Sequence, residues 1–428
     1  MKIEQIYTGC LAQGAYFIQS DGEAAVIDPL RETEPYQRRA LADGLRIKYI
    51  FETHFHADFV SGHLDLARQT GATVVYGPGA DTSYDKHNAA DGEEFRVGKL
   101  TIRALHTPGH TLESTCYLLL DEAGEPHALF TGDTLFIGDV GRPDLAQKGA
   151  ELTQEDLAGM LYDSLREKVM TLPDKVIVYP AHGAGSACGK KMSRETTDTL
   201  GNQKENNYAL RADMTREEFV EEVTDGLLPP PAYFAENARI NKQGYERFDE
   251  VLERGDVALS PADFEERANR TGALILDVRD KTDFVKGFIP NSVFIGLDGS
   301  FAPWVGALIP DLKQPILLVV PEGRGEEAVT RLARVGYDNA IGFLDGGLAA
   351  WRAYGGEVDV VETIKAPEYA NRLTKDSVSE HSLLDVRKPS EYEAGHLDHA
   401  ANLPLDFLSE GMNRLDKAET YYLHCGSG

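Results

Sequence analysis

The chain carries the sequence Glu-Thr-His-Phe-His-Ala-Asp-Phe at residues 52–59, the stretch most informative about its fold. The apolar run at 49–51 precedes this stretch, so His54, His56 and Asp58 come directly after a predicted strand. Imidazole and carboxylate groups placed together at the end of a strand are typical ligands of zinc or iron. The stretch therefore predicts a metal site at the edge of a sheet. Its last residue is a phenylalanine, where a further ligand would be expected.

Short apolar runs between residues 1 and 225, punctuated by glycine and aspartate, indicate a set of strands. The predicted strands are 15–18, 24–28, 49–51, 73–76, 100–102, 116–120, 128–130 and 176–179. Three more candidate ligands are predicted at strand ends, namely His110, Asp133 and His182. A capped helix start is predicted at 153–157, and leucine or valine continues it at every fourth residue as far as 169.

Length and composition limit the class of protein. A chain of 428 residues predicts two to four domains, at roughly 100–200 residues per domain. A hydrophobic content of 42% and an aromatic content of 9% are typical of globular chains with sizeable cores. The formal net charge of −27 argues against nucleic acid or an anionic membrane as a partner, because both would be repelled. We also expect a homo-oligomer.

The cysteines and the N-terminus bear on location. The four cysteines, Cys10, Cys116, Cys188 and Cys425, lack paired spacing, which favours a reducing compartment over a disulfide framework. The first residues contain no apolar signal core, and no run approaches the roughly 18 apolar residues of a membrane span. A cytoplasmic protein without a membrane segment is predicted.

The second half of the chain contains a repeat. Three prolines at 229–231 interrupt any helix or central strand, and we assign 226–254 as a linker. After it, Leu-Asp-Val-Arg at 276–279 recurs at 384–387, and two shorter blocks recur at the same spacing. The first copy alternates strands and helices, which indicates a small α/β domain with a parallel sheet. Its predicted elements are strands 274–278, 316–320 and 340–344, and a helix at 325–335.

The ligand pattern at 54–58, followed by His110, Asp133 and His182, resembles the metallo-β-lactamase superfamily. The motif of that superfamily is His-x-His-x-Asp-His, then a separate histidine, an aspartate and a last histidine. The resemblance covers residues 1–225 and implies an αββα sandwich with the metal at one edge of its two sheets. In hydrolases of the superfamily these residues hold two zinc ions, and the second zinc uses the histidine that Phe59 replaces here.

Loss of that histidine favours a single metal ion. His54, His110 and Asp133 are two imidazoles and one carboxylate, the ligand type expected of non-haem Fe(II) oxygenases. The persulfide dioxygenases of the superfamily use this set, and the chain resembles them. The resemblance implies one Fe(II) per N-terminal domain, with zinc as the alternative. The other motif residues would orient the ligands or a water molecule; they are His56, Asp58 and His182.

Two residues near these ligands are candidates for substrate handling. Arg142 offers a planar set of donors for a carboxylate or phosphate of a thiol carrier, as in the Gly-Arg-x-Asp segment of the dioxygenases. A surface salt bridge is the alternative for Arg142. Cys188 is close in sequence to Lys190 and Lys191, which would lower the pKa of its thiol and favour the reactive thiolate. An inert buried cysteine is the alternative for Cys188.

The repeat at 255–428 resembles the rhodanese family, whose domains carry sulfane sulfur on one cysteine inside a loop of backbone N–H groups. The first copy, 255–360, has Pro-Glu-Gly-Arg at 321–324 in place of the cysteine and is expected to be catalytically inactive. The second copy, 361–428, places Cys425 where the sulfur carrier belongs. Only three residues follow this cysteine, so the domain is expected to be incomplete or its transferase activity lost.

These resemblances imply an enzyme of sulfide detoxification that oxidises a low-molecular-weight thiol persulfide, such as that of glutathione or coenzyme A. Its products with O₂ would be sulfite and free thiol. In a complete C-terminal domain, Cys425 would pass sulfane sulfur to sulfite to form thiosulfate. One alternative is a dinuclear zinc thioester hydrolase of the glyoxalase II type, which needs a metal-activated water instead of O₂. The other is a sulfur-carrying or scaffold protein, which concerns the C-terminal half.

Overall fold

The computed structural model describes residues 1–145, 152–227, 229–373 and 382–426. The N-terminal part forms two six-stranded sheets. Its strands are β1 (Lys2–Thr8), β2 (Gln13–Ser20), β3 (Glu23–Ile27), β4 (Arg46–Phe51), β5 (Thr73–Tyr76), β6 (His87–Asn88), β7 (Glu94–Val97), β8 (Leu100–His106), β9 (Thr115–Leu120), β10 (Pro126–Gly132), β11 (Ile177–Pro180) and β12 (Asp198–Thr199). Its described helices are α1 (Glu34–Ala42), α2 (His63–Thr70), α3 (Gln154–Ser164), α4 (Leu200–Asn206) and α5 (Arg216–Thr224).

The two sheets pack face to face with helices outside them. Strands β1 to β6 form one sheet in chain order, and the other sheet has the order β12-β11-β10-β9-β8-β7. Buried aromatic rings meet between the sheets, with Phe51 and Tyr117 centred 4.7 Å apart. Leu66 of α2 covers the outer face of the first sheet, and Leu161 of α3 covers that of the second. The predicted αββα sandwich is confirmed, and each predicted strand is present.

The predicted capped helix is also present. The hydroxyl of Thr153 accepts from the Asp156 N–H, and the Asp156 carboxylate accepts from the Thr153 N–H, which closes a capping box at the start of α3. The α-helix ends at Ser164, and a π-helical segment, Leu165–Val169, follows it directly. The apolar residues at every fourth position are all buried; they are Leu157, Leu161, Leu165 and Val169. The last three pack against the second sheet.

The segment assigned as a linker contains two helices after its prolines, α6 (Phe234–Gln243) and α7 (Phe248–Gly255). A five-stranded sheet follows, with all described pairs parallel and the order β13-β17-β16-β14-β15. Its strands are β13 (Ala258–Leu259), β14 (Leu274–Asp277), β15 (Val293–Phe294), β16 (Ile316–Val319) and β17 (Ala340–Leu344). Its helices are α8 (Pro261–Thr271), α9 (Lys281–Phe284), α10 (Phe301–Leu308), α11 (Gly325–Ala333) and α12 (Gly347–Tyr354). The predicted parallel α/β domain is confirmed.

The last described elements form a second, three-stranded parallel sheet with the order β19-β18-β20. These elements are α13 (Ala366–Leu373), β18 (Leu383–Asp385), α14 (Pro389–Ala394), β19 (Ala401–Asn402), α15 (Leu408–Gly411) and β20 (Tyr422–His424). None of the helices in the described residues is both long enough and apolar enough to cross a membrane.

The repeated Asp-Val-Arg has one structural role in both sheets. At the end of β14 the Arg279 guanidinium turns back to the Asp277 carboxylate and also donates to the Gly287 carbonyl at 2.8 Å. At the end of β18 the Arg387 guanidinium pairs with Asp385 and donates to the Gly395 carbonyl, again at 2.8 Å. In both copies the arginine joins the aspartate at the strand end to a glycine carbonyl in the following turn, and we call this arrangement the strand-end clasp. It explains why aspartate, arginine and glycine recur together.

The N-terminal sandwich and the five-stranded domain share a buried contact. The Arg31 side chain is fully buried; its guanidinium lies 3.0 Å from Asp65 and 3.4 Å from Asp338, and it stacks 3.9 Å from the centre of the Tyr245 ring. Around it, one apolar cluster contains Phe59 from the sandwich and Val335 from the five-stranded domain. The two parts therefore share one continuous core.

Candidate metal centre

The sandwich brings the candidate ligands from four separate parts of the chain to one edge. His54 follows β4, Asp133 follows β10 and His182 follows β11, while His110 lies in the loop between β8 and β9. The four side chains are at most 2% exposed. Because the carboxyl ends of these strands lie at the same edge of the two sheets, groups far apart in sequence meet there.

His54, His110 and Asp133 form the first group, with ligand atoms all within 4.8 Å of one another. The Asp133 Oδ2 lies 3.4 Å from His110 Nε2 and 3.8 Å from His54 Nε2. These separations suit atoms that surround a shared ion at about 2.0–2.2 Å. His110 Nε2 and both oxygens of Asp133 are buried without a hydrogen-bond partner. Because buried polar atoms are rarely left unpaired, the residues present fit a metal ion.

The other nitrogens of these rings are occupied, and this orients the rings. Thr53 Oγ1 donates to Asp28 at 2.9 Å and lies 3.0 Å from His54 Nδ1, so that nitrogen donates to the hydroxyl. His110 Nδ1 lies 2.8 Å from the Arg142 carbonyl. Protonation at Nδ1 leaves the Nε2 lone pair facing Asp133, as a metal ligand requires.

His56, Asp58 and His182 form a second group beside the first. His182 Nε2 lies 3.3 Å from Asp58 Oδ2 and 3.6 Å from Asp133 Oδ1. His56 Nε2 is instead 3.0 Å from Asp28. Burial alone would lower the pKa of His56, but the carboxylate of Asp28 raises it to about 9. The fully buried Phe59 ring lies 4.3 Å from the His56 ring and offers no ligand atom to this group.

Beneath the two groups lies a layer of buried ionisable residues. The Glu52 carboxylate accepts from the Ser61 hydroxyl at 2.7 Å and lies 3.6 Å from His56. Burial, and then the negative charge of Asp28, raise the pKa of Glu52. The His63 ring lies 2.8 Å from the Tyr84 hydroxyl. Burial, followed by the charges of His56 and Arg31, lowers the pKa of His63 to about 3.

His63 is expected to make the chain sensitive to acid. Its folded pKa of about 3 lies below its ordinary value of 6.5, so the unfolded chain takes up a proton that the folded chain refuses. Stability is therefore lost as pH falls below 6.5, by about 1.4 kcal/mol per pH unit, or about 2 kcal/mol by pH 5. Urea unfolding at pH 7 and pH 5 should show a smaller loss for His63→Gln. The same substitution at the half-exposed His87 provides the control. Equal losses of stability in the unaltered chain and in both variants would contradict the expectation.

Arg142 lies against the metal centre but its guanidinium is paired. Its Nε and Nη2 donate to the two oxygens of Asp144 at 2.7 and 2.8 Å, and Nη1 donates to the Ala187 carbonyl at 3.2 Å. The contact of Arg142 with the centre is through its own carbonyl, which holds His110. A role of Arg142 in substrate binding remains a prediction.

The expectation of an acidic thiol at Cys188 is wrong. Burial raises the pKa of Cys188 well above its ordinary value, and the negative charges of Asp58 and Asp133 raise it further. The two lysines point elsewhere: Lys190 Nζ donates to the Glu222 and Asp225 carbonyls, and Lys191 Nζ lies 5.4 Å from the centre of the Tyr208 ring. The thiol instead faces Asp133 and His182, with which it forms a third group of potential ligands.

Gly141 lies where the backbone passes close to two of the candidate ligands, Asp133 and His110. A Cβ added there would lie 2.0 Å from the Asp133 carbonyl oxygen and 2.9 Å from His110 Nδ1. We expect Gly141→Ala to displace both ligands and weaken metal affinity at least about 10-fold. Isothermal titration calorimetry of the metal-free protein with zinc measures this affinity. Gly9→Ala is the control, since its Cβ would meet nothing within 4 Å; equal affinities in both variants would contradict the argument.

Cys425 directly follows β20. The neighbouring Asp385 carboxylate lies 3.6 Å from His424 and is paired with Arg387. The equivalent turn of the five-stranded domain has no thiol, and its Arg324 pairs with Asp298 and Glu327. Residues 427 and 428, which would belong to the predicted cysteine loop, lie outside the described residues.

Several residues of the centre were not predicted as functional. Asp28 and Thr53 orient His54, and Glu113 accepts from the Phe55 N–H at 2.9 Å. Asp28 carried a usable signal, because it ends a predicted strand as the ligands do. No local pattern distinguishes Asn241, which forms a hydrogen bond with Ser61, 180 residues earlier, in the ligand loop between β4 and α2.

Two family patterns match the chain. That of the Metallo-beta-lactamase superfamily matches residues 8–182, and that of the Rhodanese-like domain matches residues 260–354 and 365–428. The first match contains every candidate ligand of the first group. The second match covers both copies of the repeat.

Several individual proteins are similar to parts of the chain. A probable hydroxyacylglutathione hydrolase of Schizosaccharomyces pombe is 32% identical over 163 residues, which are 37% of this chain and 59% of that protein. The mitochondrial persulfide dioxygenase ETHE1 of Homo sapiens is 32% identical over 211 residues, which are 49% of this chain and 74% of that protein. The crystal structure of a metallo-beta-lactamase from Staphylococcus aureus superposes with a TM-score of 0.70 at 31% identity, covering 80% of this chain and 98% of that one.

Proposed function

The chain belongs to the metallo-β-lactamase superfamily, among the relatives of persulfide dioxygenases and with rhodanese-like domains attached, and we propose that it oxidises a low-molecular-weight thiol persulfide. The substrate would be the persulfide of glutathione, coenzyme A or a similar thiol. One persulfide, one O₂ and one water would give one free thiol and one sulfite with its protons. The observation that carries the proposal is the group of His54, His110 and Asp133, in which His110 Nε2 and both Asp133 oxygens are buried without a hydrogen-bond partner.

The proposed metal is a single Fe(II). His54, His110 and Asp133 would hold it on one side, and it would supply the redox chemistry that joins persulfide sulfur to O₂. The chain itself holds the two rings in the required tautomer through Thr53 and the Arg142 carbonyl. Phe59 supports one metal over two, because its apolar ring fills the place next to His56. Zinc is the alternative metal.

The proposed partner reaction is sulfur transfer at Cys425. Its thiolate would take the outer sulfur of a second substrate persulfide and release the free thiol of that substrate. Sulfite would then take this sulfur from Cys425 to form thiosulfate and restore the Cys425 thiolate. The position of Cys425 directly after β20, within the residues matched by the rhodanese pattern, supports this role. In protein whose second rhodanese-like domain is complete, Cys425→Ser should abolish thiosulfate formation and leave sulfite formation unchanged. Equal thiosulfate formation by both proteins would contradict the role of this thiol.

A second candidate activity is thioester hydrolysis by two zinc ions. The hydroxyacylglutathione hydrolase from S. pombe supports it, since its identity to this chain equals that of the persulfide dioxygenase. The second group of potential ligands, His56, Asp58 and His182, would hold part of the second ion. Elemental analysis showing two zinc ions per chain, with hydrolysis of a glutathione thioester, would favour this activity.

Oxygen consumption tests the proposal directly. The full chain is loaded with Fe(II) without air and mixed with glutathione persulfide in an oxygen electrode, and sulfite is measured in the same samples. One O₂ consumed for each sulfite formed is expected, and the zinc-loaded protein serves as the control. Hydrolysis of a glutathione thioester without persulfide-dependent oxygen consumption would overturn the proposal.

A cytoplasmic location is part of the proposal. None of the four cysteines, all of which lie within the described residues, forms a disulfide, as is usual in reducing compartments. Reduced thiols in the surroundings would also supply the persulfide carrier.

A further inference from the structure

The loop that carries the metal motif has little regular structure of its own. Between the end of β4 at Phe51 and the start of α2 at His63, its described contacts include one isolated bridge, at Ser61. Buried backbone N–H and C=O groups in such a loop need partners from elsewhere in the molecule. These partners decide where the side chains of the loop point.

Asn241 of α6 supplies three of these partners. Its Nδ2 donates to the carbonyls of His56 and Phe59, both at 2.8 Å, and its Oδ1 accepts from the Ser61 N–H at 2.9 Å. The side chain is 1% exposed. Only an amide side chain offers two donors and an acceptor on one short stem, so Asn241 is suited to hold this loop.

The five-stranded domain holds the same loop at one more point. The Val60 N–H donates to the Arg334 carbonyl, just after α11, at 2.7 Å. The Arg334 guanidinium pairs with Glu32 of the sandwich, which keeps this carbonyl against the loop. Residues 241 and 334 both lie outside the 8–182 range of the metallo-β-lactamase pattern.

Asp58 lies between the two carbonyls that Asn241 binds. Its Oδ2 is 3.3 Å from His182 Nε2, and its Oδ1 is buried without a partner. With no hydrogen bond to its own Oδ1, the carboxylate depends on the loop backbone for its position. A shift of the backbone at His56 or Phe59 would therefore move Asp58 relative to His182 and Asp133.

We infer that Asn241 is a positioning residue of the metal centre, and that α6 and the cysteine-less rhodanese-like domain complete this centre by bracing its ligand loop. The inference rests on the metal centre of the proposed function and is independent of the reaction catalysed there. It assigns a role to a domain that lacks its own nucleophile.

Cobalt binding tests the inference without substrate. Co(II) is added to the metal-free full chain, and affinity and the visible absorption bands, which report ligand geometry, are measured. Asn241→Ala should weaken Co(II) binding about 10-fold and shift the bands, as is usual when a group that orients ligands is removed. Asn237→Ala is the matched control: it lies one turn earlier on α6, is 0% exposed, and has no hydrogen-bond partner on either side-chain atom.

Each outcome decides the question. Affinity and bands like those of the unaltered chain would overturn the inference, as would a lower melting temperature with unchanged bands, which indicates a role in stability alone. If Asn241→Ala does not fold, Asn241→Ser is compared in the same way, because its hydroxyl has one donor for two carbonyls. Failure of the unaltered chain to oxidise persulfide would contradict the proposed function and leave the cobalt result valid.

Discussion

Replacing His110 with alanine is expected to reduce persulfide-dependent oxygen consumption more than 100-fold, beyond the roughly 10–100-fold typical of residues that only orient ligands. His110 Nε2 is buried, faces Asp133 at 3.4 Å and has no hydrogen-bond partner. Its loss leaves one imidazole and one carboxylate, too few protein ligands for a facial set of three. Iron content by elemental analysis and oxygen consumption should fall together.

A surface histidine separates loss of a ligand from a general effect of the substitution. The His87 side chain is 43% exposed, pairs with Glu93 and belongs to none of the described groups of potential ligands, so His87→Ala should keep full iron content and activity. An unchanged oxygen rate in His110→Ala protein would remove His110 from the metal centre. Retained iron with lost oxygen consumption would show that His110 acts on the substrate instead of the metal.

Replacing Arg31 with methionine is expected to lower the free energy of unfolding by about 3–5 kcal/mol. The guanidinium is fully buried between Asp65 and Asp338, and burial raises the pKa of Asp338 even with the arginine present. Methionine fills part of the volume but leaves the Asp338 carboxylate without this cation, and Asp65 keeps its ion pair with the partly exposed Arg68. Because Asp338 belongs to the five-stranded domain, the docking of that domain on the sandwich should weaken as well.

Urea unfolding followed by tryptophan fluorescence measures this effect. Both tryptophans of the chain, Trp304 and Trp351, lie in the five-stranded domain and report on it. The control is Arg38→Met, since Arg38 pairs with Glu34 with both side chains largely exposed, and such pairs contribute at most about 1 kcal/mol. Equal unfolding midpoints for the two variants would show that the Arg31 contact does not join the two parts.

The strands and the positions of the candidate ligands were predictable because each depends on a few neighbouring residues. An apolar run ending in histidine or aspartate indicates a strand end, and His54, Asp133 and His182 are all found directly beyond such ends. The repeat of Asp-Val-Arg was predictable for the same reason, since its clasp forms within one strand end and the following turn. The helices after the three prolines were not predicted, because their apolar residues pack on the sandwich and the five-stranded domain together.

The sequence by itself determined the strands, the parallel repeat and the positions of the candidate ligands, because periodicity and strand-end position are local properties of the chain. The sandwich was expected from the resemblance of the ligand motif to the metallo-β-lactamase superfamily. Only the tertiary structure decided the direction of each charged or polar side chain. Lys190 and Lys191 point away from Cys188, Arg142 binds Asp144, and Asn241 holds the ligand loop. These outcomes depend on which buried groups lack partners, and packing brings such groups together from distant parts of the chain.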